Sequence, residues 1–295
     1  MTDFTPLQEK QLKEIALEQE TILNFFQPMP DHGIDHISGM ADLKERLRSI
    51  CEQDIFEELI PASYKEAYLF HGVAGTGKTY YAEALVHELM EKGFRYMRLT
   101  FADIISSLLG VAERIISTVF ETAAEYAPCI ILIEGIEQVC KNREDPSVKN
   151  WERNLTVTFL QGFSYIMNYN RNQKEKPVML IGVATYPERL DPALRDRMQK
   201  IEVGLPDAEA RKMDFENHLK GIALESGLSY ELMSEQTEGR NYSELSMIYR
   251  KIVQGLRKAA QQAAGSGENP ESFERDICEG KISLTAEMFR SVLEK

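Results

Sequence analysis

The chain has 295 residues, 43% of them hydrophobic, which is enough for a packed core and suggests one large domain plus a smaller one. Its formal net charge of -13 disfavours unspecific attraction to nucleic acid or to an anionic membrane. Met1 to Pro6 lack a basic start and an apolar stretch, and no later run is long enough to span a bilayer, so a cytoplasmic protein is expected.

In chain order, Thr5 can cap a helix that has Pro6 in its first turn and an apolar stripe of Leu12, Ile15, Ala16, Ile22, Leu23 and Phe26. Packing onto the protein's own core is preferred over a partner-binding arm, and both readings stay open at this point. Pro28, Pro30 and Gly33 end the helix, giving a first segment over residues 1–30. His32 and His36 flank Asp35 without another Cys or His nearby, which is a poor zinc site. Cys51, Cys129, Cys140 and Cys278 are scattered without a C-x-x-C pair, so buried thiols are expected.

The apolar run Ala67-Tyr68-Leu69-Phe70 reads as a buried strand. It enters Gly72-Val73-Ala74-Gly75-Thr76-Gly77-Lys78-Thr79, which fits the phosphate-loop pattern G-x-x-x-x-G-K-[ST]. A helix over Thr79 to Lys92 follows, with Ala82, Leu85, Val86 and Leu89 at helical spacing. Glycines let backbone amides close around a polyphosphate, and the helix start adds its dipole. Lys78 supplies a point charge for the β and γ phosphates, and Thr79 a hydroxyl for Mg²⁺.

Tyr96 to Leu99, a helix through Arg114 to Ala124, Ile130 to Ile133 and Val178 to Ala184 then alternate as strand, helix, strand, strand. That order predicts an α/β fold with a mainly parallel sheet flanked by helices, with ligand at the carboxyl ends of the strands. Beyond Pro206 the strand signal stops. Asp207 can cap a helix bearing Phe215, Leu219 and Ile222, and Leu245, Ile248, Tyr249, Ile252, Val253 and Leu256 keep helical spacing. Gly265-Ser266-Gly267 opens a loop before a last helix with Phe289, Val292 and Leu293. The division expected is 31–206 for the nucleotide-binding domain and 207–295 for a small helical domain.

Further motifs follow the loop in fixed order and together resemble the AAA family of ATPases over roughly residues 33 to 255. Asp35-His36-Ile37-Ser38-Gly39-Met40 resembles the family's segment beside the adenine. Pro128 to Glu137 resembles its Walker B strand, Leu190-Asp191-Pro192-Ala193-Leu194-Arg195 its arginine-finger region, and Thr237-Glu238-Gly239 with Tyr242 to Leu245 the start of a lid helix. The resemblance implies ATP and Mg²⁺ as cofactors, a ring-type homo-oligomer or assembly with another AAA subunit, and a protein client. It implies nucleotide contacts from His36, Ser38, Gly72, Val73, Ala74, Gly75, Thr76, Gly77, Lys78, Thr79 and Tyr80. Metal would be held by Thr79 and Glu134, with catalytic roles for Lys78, Glu134, Thr185 and Arg195 or Arg197.

The departures from the family are as informative. Its Walker B strand ends in Asp-Glu, and this chain has Glu134-Gly135. Glu134 keeps the charge one methylene further out, whereas Gly135 removes the general base, a loss worth about 10² to 10⁴ in rate. Glu134 itself or Glu137 could replace that base, although the family register sets Glu137 away from the γ-phosphate. Thr185 stands where a sensor Asn is usual. Ser107 and Leu108, within Ser106 to Gly110, replace the basic-aromatic pair of threading members. Two readings follow: a slow ATPase that remodels a protein partner, and a nucleotide-gated binding subunit without turnover. A nucleic-acid motor or loader is disfavoured by the acidic balance and the lack of a basic-aromatic segment.

Overall fold

The computed structural model describes residues 22–52, 67–105, 112–264 and 283–293. Leu12, Ile15, Ala16, Ser106 to Gly110, the Gly265-Ser266-Gly267 loop and Cys278 lie outside the described residues. The chain divides into two compact units. The first comprises Met1–His36, Glu45–Val73 and Lys78–Val203, and the second Ile37–Lys44, Ala74–Gly77 and Gly204–Lys295.

In the first unit β1 (Ala67–His71), β2 (Arg95–Thr100), β3 (Cys129–Glu134), β4 (Val178–Ala184) and β5 (Gln199–Glu202) form one sheet in the order β2-β3-β4-β1-β5. Every pairing is parallel. All seven residues of β4 are buried, which is why the central strands read as unbroken apolar runs rather than alternating ones. The four expected strands are present with ends shifted by at most one residue. The fifth was not foreseen, because Ile201 is its only buried residue and it carries no apolar run.

Register decides what meets at the sheet's end. Phe70 of β1 lies opposite Val183 of β4, which lies opposite Glu134 of β3. With strands about 4.8 Å apart, the segments leaving β1 and β3 start about 10 Å from each other across β4. The phosphate loop, the turn after Glu134 and Thr185 therefore leave from one edge.

Helices α1 (Lys78–Glu91), α2 (Ala112–Glu125) and α3 (Asn150–Asn172) cover the sheet. Ala82, Leu85, Val86 and Leu89 of α1 are buried, as their spacing predicts. Phe120 of α2 meets Phe159 of α3 edge to face at 5.2 Å. At the outer edge of β2, Ile22 and Phe25 enter the sheet core. Phe26 does not continue a helical stripe with Leu23: it forms an antiparallel bridge to Met97, while Leu23 is 48% exposed. Arg98 N donates to Phe25 O at 2.9 Å and Gln27 N to Tyr96 O at 2.9 Å, so residues 25–27 occupy the open hydrogen-bonding edge of β2. Cys51, Cys129 and Cys140 are buried free thiols, and burial pushes those of Cys51 and Cys129 up to about 12.

The second unit is built from α4 (Ala208–His218), α5 (Tyr230–Gln236), α6 (Tyr242–Ala264) and α7 (Ala286–Leu293). Asp207 caps α4, its Oδ1 accepting from Ala210 N at 2.7 Å. The helix is shorter than its apolar spacing suggests: Leu219 is its C-cap and Ile222 lies beyond, after Gly221 turns the chain at φ 87°. Phe215 is fully buried against Tyr249 at 5.3 Å and Phe289 at 5.9 Å. Removing such a ring costs about 3–5 kcal/mol. Arg211 is buried but satisfied by the carbonyls of Ser234 and Pro206 at 3.1 and 2.7 Å. Among the described residues, no helix is long and apolar enough to cross a membrane.

Candidate functional site

The loop leaves β1 at His71 and enters α1 at Lys78. Gly72, Gly75 and Gly77 have φ values of 147°, 78° and 85°, a region in which side-chain-bearing residues are strained. At Gly72 space is the stronger constraint, since a Cβ there would lie 2.2 Å from the carbonyl oxygen of Val203. That carbonyl is held in place because Val203 N donates to His71 O at 2.7 Å. Thr76 is fully buried, Thr79 half-buried and Val73 exposed.

Within the second unit, Ala74–Gly77 lies against the start of α6. Tyr242 N donates to Gly75 O at 3.0 Å, and Asn241 and Glu244 exchange reciprocal hydrogen bonds of 2.9 Å as a helix-start box.

Lys78 is buried, and its Nζ donates to the carbonyl of Val73 at 2.8 Å, folding the ammonium back across the loop. Burial pulls the Lys78 ammonium below the ordinary lysine value, and the Glu137 carboxylate pulls it back up. The acid that Lys78 feels is thus Glu137.

Glu134, the last residue of β3, is already engaged. Its Oε1 accepts from Arg98 Nε at 2.7 Å and from Arg98 Nη2, while Arg98 Nη1 donates to Glu83 at 2.7 Å. Burial opposes the Arg98 charge, but Glu134 and Glu83 outweigh it and hold the guanidinium above its ordinary value. Gly135 follows in the left-handed region at φ 62° and ψ 41°, and starts the short helix Ile136–Val139. Glu137 on that helix is 6% exposed. Its Oε1 accepts from the backbone N–H of Thr185 at 3.0 Å and of Tyr186 at 3.3 Å, whereas its Oε2 is buried with no partner among the described residues.

The remaining expected residues fall in three places. Arg195 closes the short helix Pro192–Arg195 and pairs with Asp196 at 3.3 Å, whereas Arg197 is exposed and lines a cavity of about 530 Å³ with Arg171 and Met167. Tyr80 stacks on His32 at 4.0 Å, and its hydroxyl reaches the carbonyl of His36 at 3.4 Å. Ser38 is half-buried just before Gly39. The structure thus brings Lys78, Glu137 and Thr185 into one neighbourhood and couples Glu134 to Arg98, a residue that the sequence reading passed over.

These donors fit a magnesium nucleotide. In the first unit Gly72 turns the chain out of β1, the Lys78 ammonium is desolvated, Thr79 stands in the first turn of a 14-residue helix, and one buried carboxylate oxygen is without a partner among the described residues. A parallel sheet of this order whose first strand runs through such a loop into a helix defines a P-loop nucleoside-triphosphatase fold. The family model of ATPases associated with various cellular activities, AAA, matches residues 68–205 of the chain.

Among its relatives, the chain is 26% identical to Protein SAV of Sulfolobus acidocaldarius over 92% of this chain and 34% of that protein. It is 27% identical to the katanin p60 ATPase-containing subunit A1 of Arabidopsis thaliana over 76% of this chain and 44% of that protein. The chain therefore spans less than half the length of these curated relatives. Two solved structures share the fold. The FIGL-1 AAA domain superposes with a TM-score of 0.72 at 18% identity over 93% of this chain and 88% of its own. A structure addressing katanin self-assembly superposes with a TM-score of 0.66 at 23% identity, over 94% of this chain and 90% of its own.

Proposed function

We propose that this protein binds ATP with Mg²⁺ in an oligomeric AAA assembly and remodels or regulates a protein partner, hydrolysing ATP slowly. The observation that carries the reading is the contrast between a complete phosphate loop and a turn after β3 with no side chain at Gly135. In this reading the amides of Gly72 to Gly77 with Lys78 and Thr79 hold the phosphates, and Thr79 serves Mg²⁺. His36, Ser38 and Tyr80 are assigned to the base. Thr185 orients water, and Arg197, being exposed, reaches a neighbouring subunit more readily than the paired Arg195. Self-assembly has a named precedent in katanin, whose self-assembly is the subject of one of the structures that share the fold. The domain division at 30/31 and 206/207 and a cytoplasmic setting belong to the same proposal.

One observation favours a second reading, a nucleotide-gated subunit without turnover. Glu134 is partly neutralised by Arg98, which weakens its pull on a hydrated metal ion. Phosphate release and ATP affinity measured for the wild type and Lys78→Ala decide between them. The slow-ATPase reading expects turnover well below one per second that Lys78→Ala reduces by about 10³-fold or more, in line with the electrostatic role of the loop. ATP binding without any Lys78-dependent turnover selects the second reading, and absence of binding sinks both.

A further inference from the structure

We propose that the groove between α6 and α7 is a docking site for an acidic amphipathic helix of a protein partner. This rests on the reading above for one thing, that the partner is a protein. The groove lies wholly within the second unit.

Helical spacing builds it. Lys251, Gln254, Gly255 and Lys258 fall at i, i+3, i+4 and i+7, a single stripe of α6. Met288, Ser291 and Val292 form the facing stripe of α7, and between the two lies a cavity of about 400 Å³. Gly255 sets its depth: a Cβ there would come 3.2 Å from Met288 Cε, so the missing side chain opens the floor where the helices meet. Met288 and Val292 pack on the helical core yet stay partly exposed, which leaves an apolar wall.

The charge around this groove is opposite to that of the chain. Against a net charge of -13, α6 carries Arg250, Lys251, Arg257 and Lys258 and has no carboxylate from Leu245 to Ala264. On α7, Glu287 and Arg290 lie off the stripe and offset each other. Among the described residues neither Lys251 nor Lys258 has an ion-pair partner. At the rise of an α-helix these two lysines stand about 10.5 Å apart along the axis. The matching occupant is a helix with acids seven residues apart and apolar residues at i, i+3 and i+4 between them. Nucleic acid fits less well, since among the described residues no aromatic side chain lines the groove to stack a base. The acidity of the whole chain opposes an anionic membrane.

Fluorescence anisotropy with the full chain and three labelled synthetic peptides of about 18 residues tests this. One is a Leu-striped helix with Glu seven residues apart beside the stripe, the second carries Lys at those Glu positions, and the third scrambles the first. The acidic helix should bind about tenfold or more tighter than either control, and more weakly as salt rises. Lys251→Glu with Lys258→Glu reverses the charge, and Ser291→Phe, at an exposed position, fills the groove without changing charge. Each should weaken the acidic peptide by about tenfold or more, with melting within a few degrees of the wild type. No binding of the acidic helix, equal binding of the scrambled one, or undiminished binding by either folded variant overturns the site. So does tighter binding of a single-stranded oligonucleotide or of phosphatidylserine vesicles that the lysine variant abolishes, because the cations would then serve another class of ligand. The wild-type peptide comparison decides even where a variant fails to fold. ATP affinity on the same samples should not differ between wild type and variants. A wild type that binds the acidic peptide but not ATP defeats the functional reading and leaves the groove standing.

Discussion

The loop after β1 and the turn after β3 leave the same end of one sheet, and both depend on glycine with positive φ, yet their glycines answer to different constraints. At Gly72 a side chain would strike the backbone carbonyl of Val203 at 2.2 Å, and no rotamer change relieves that contact. At Gly135 the nearest atom to a Cβ is the side-chain nitrogen of Gln138 at 3.0 Å, the far end of a flexible group. The loop is therefore fixed by packing and the turn only by its own dihedral angles. A family resemblance that holds in the crowded place does not carry the chemistry of the open one.

The largest effect should come from breaking the crowded side. Gly72→Ala forces β1 and the segment after β5 apart at Val203, an overpacking against backbone that belongs among the exceptional substitutions, above about 4 kcal/mol. Denaturant titration followed by circular dichroism should show the midpoint collapsing or no folded protein at all. A near-native midpoint would mean that the loop can slide, and the contrast with Gly135 would vanish.

A middle-sized effect tests the arginine segment on the same sheet edge. Asp191 has a side chain only 3% exposed, accepts from Arg143 Nε at 2.8 Å and caps Ala193 N at 3.0 Å. Burial pushes its carboxyl up, but the Arg143 side chain and the amides of Arg143 and Ala193 win and hold it below the usual carboxylate value. A depressed folded pKa adds stability that is present above the unfolded value of 3.8 and is lost as pH falls through the folded one. Asp191→Asn should cost about 1–3 kcal/mol at neutral pH, since Arg143 is itself 40% exposed and keeps water as a partner. The gap between variant and wild type should narrow as the pH is lowered below 3.8. Thermal melts from pH 7 to pH 3 measure both, and a gap that stays constant would show that the carboxylate charge contributes nothing.

How legible all this was depended on the distance over which each feature is encoded. The phosphate loop is local: glycine spacing, Lys78 and Thr79 sit within eight residues, so chain order alone sites it. The central strands were legible as apolar runs, whereas β5 was not, being a half-exposed edge with a single inward residue. Helix α3 was passed over although Leu155, Phe159, Phe163 and Ile166 repeat at helical spacing, a signal present in the sequence and left unused. The Arg98 cluster is another kind of miss. Arg98 precedes by two the residue opposite Glu134, so strand parity puts both on one face, but only register reveals it. The unpartnered oxygen of Glu137 is likewise a product of folding, set by where β4 ends.

The smallest effect sharpens the comparison most, because it separates shape from chemistry at Gly135. With φ 62° and ψ 41°, an Ala there meets the left-handed penalty of about 1–2 kcal/mol per residue. Asn tolerates that region better through local hydrogen bonding, and the Gln138 side chain can move aside for either. Gly135→Ala should therefore lower the melting temperature by a few degrees, and Gly135→Asn by less, despite the larger side chain. If crowding governed the position instead, the order would invert and Asn would be the worse substitution. The same reasoning bears on Gly135→Glu, which restores the family's residue at the cost of that backbone strain. Its melting loss should match that of Ala, so any gain in phosphate release can be read as the returned carboxylate rather than as a rearranged turn.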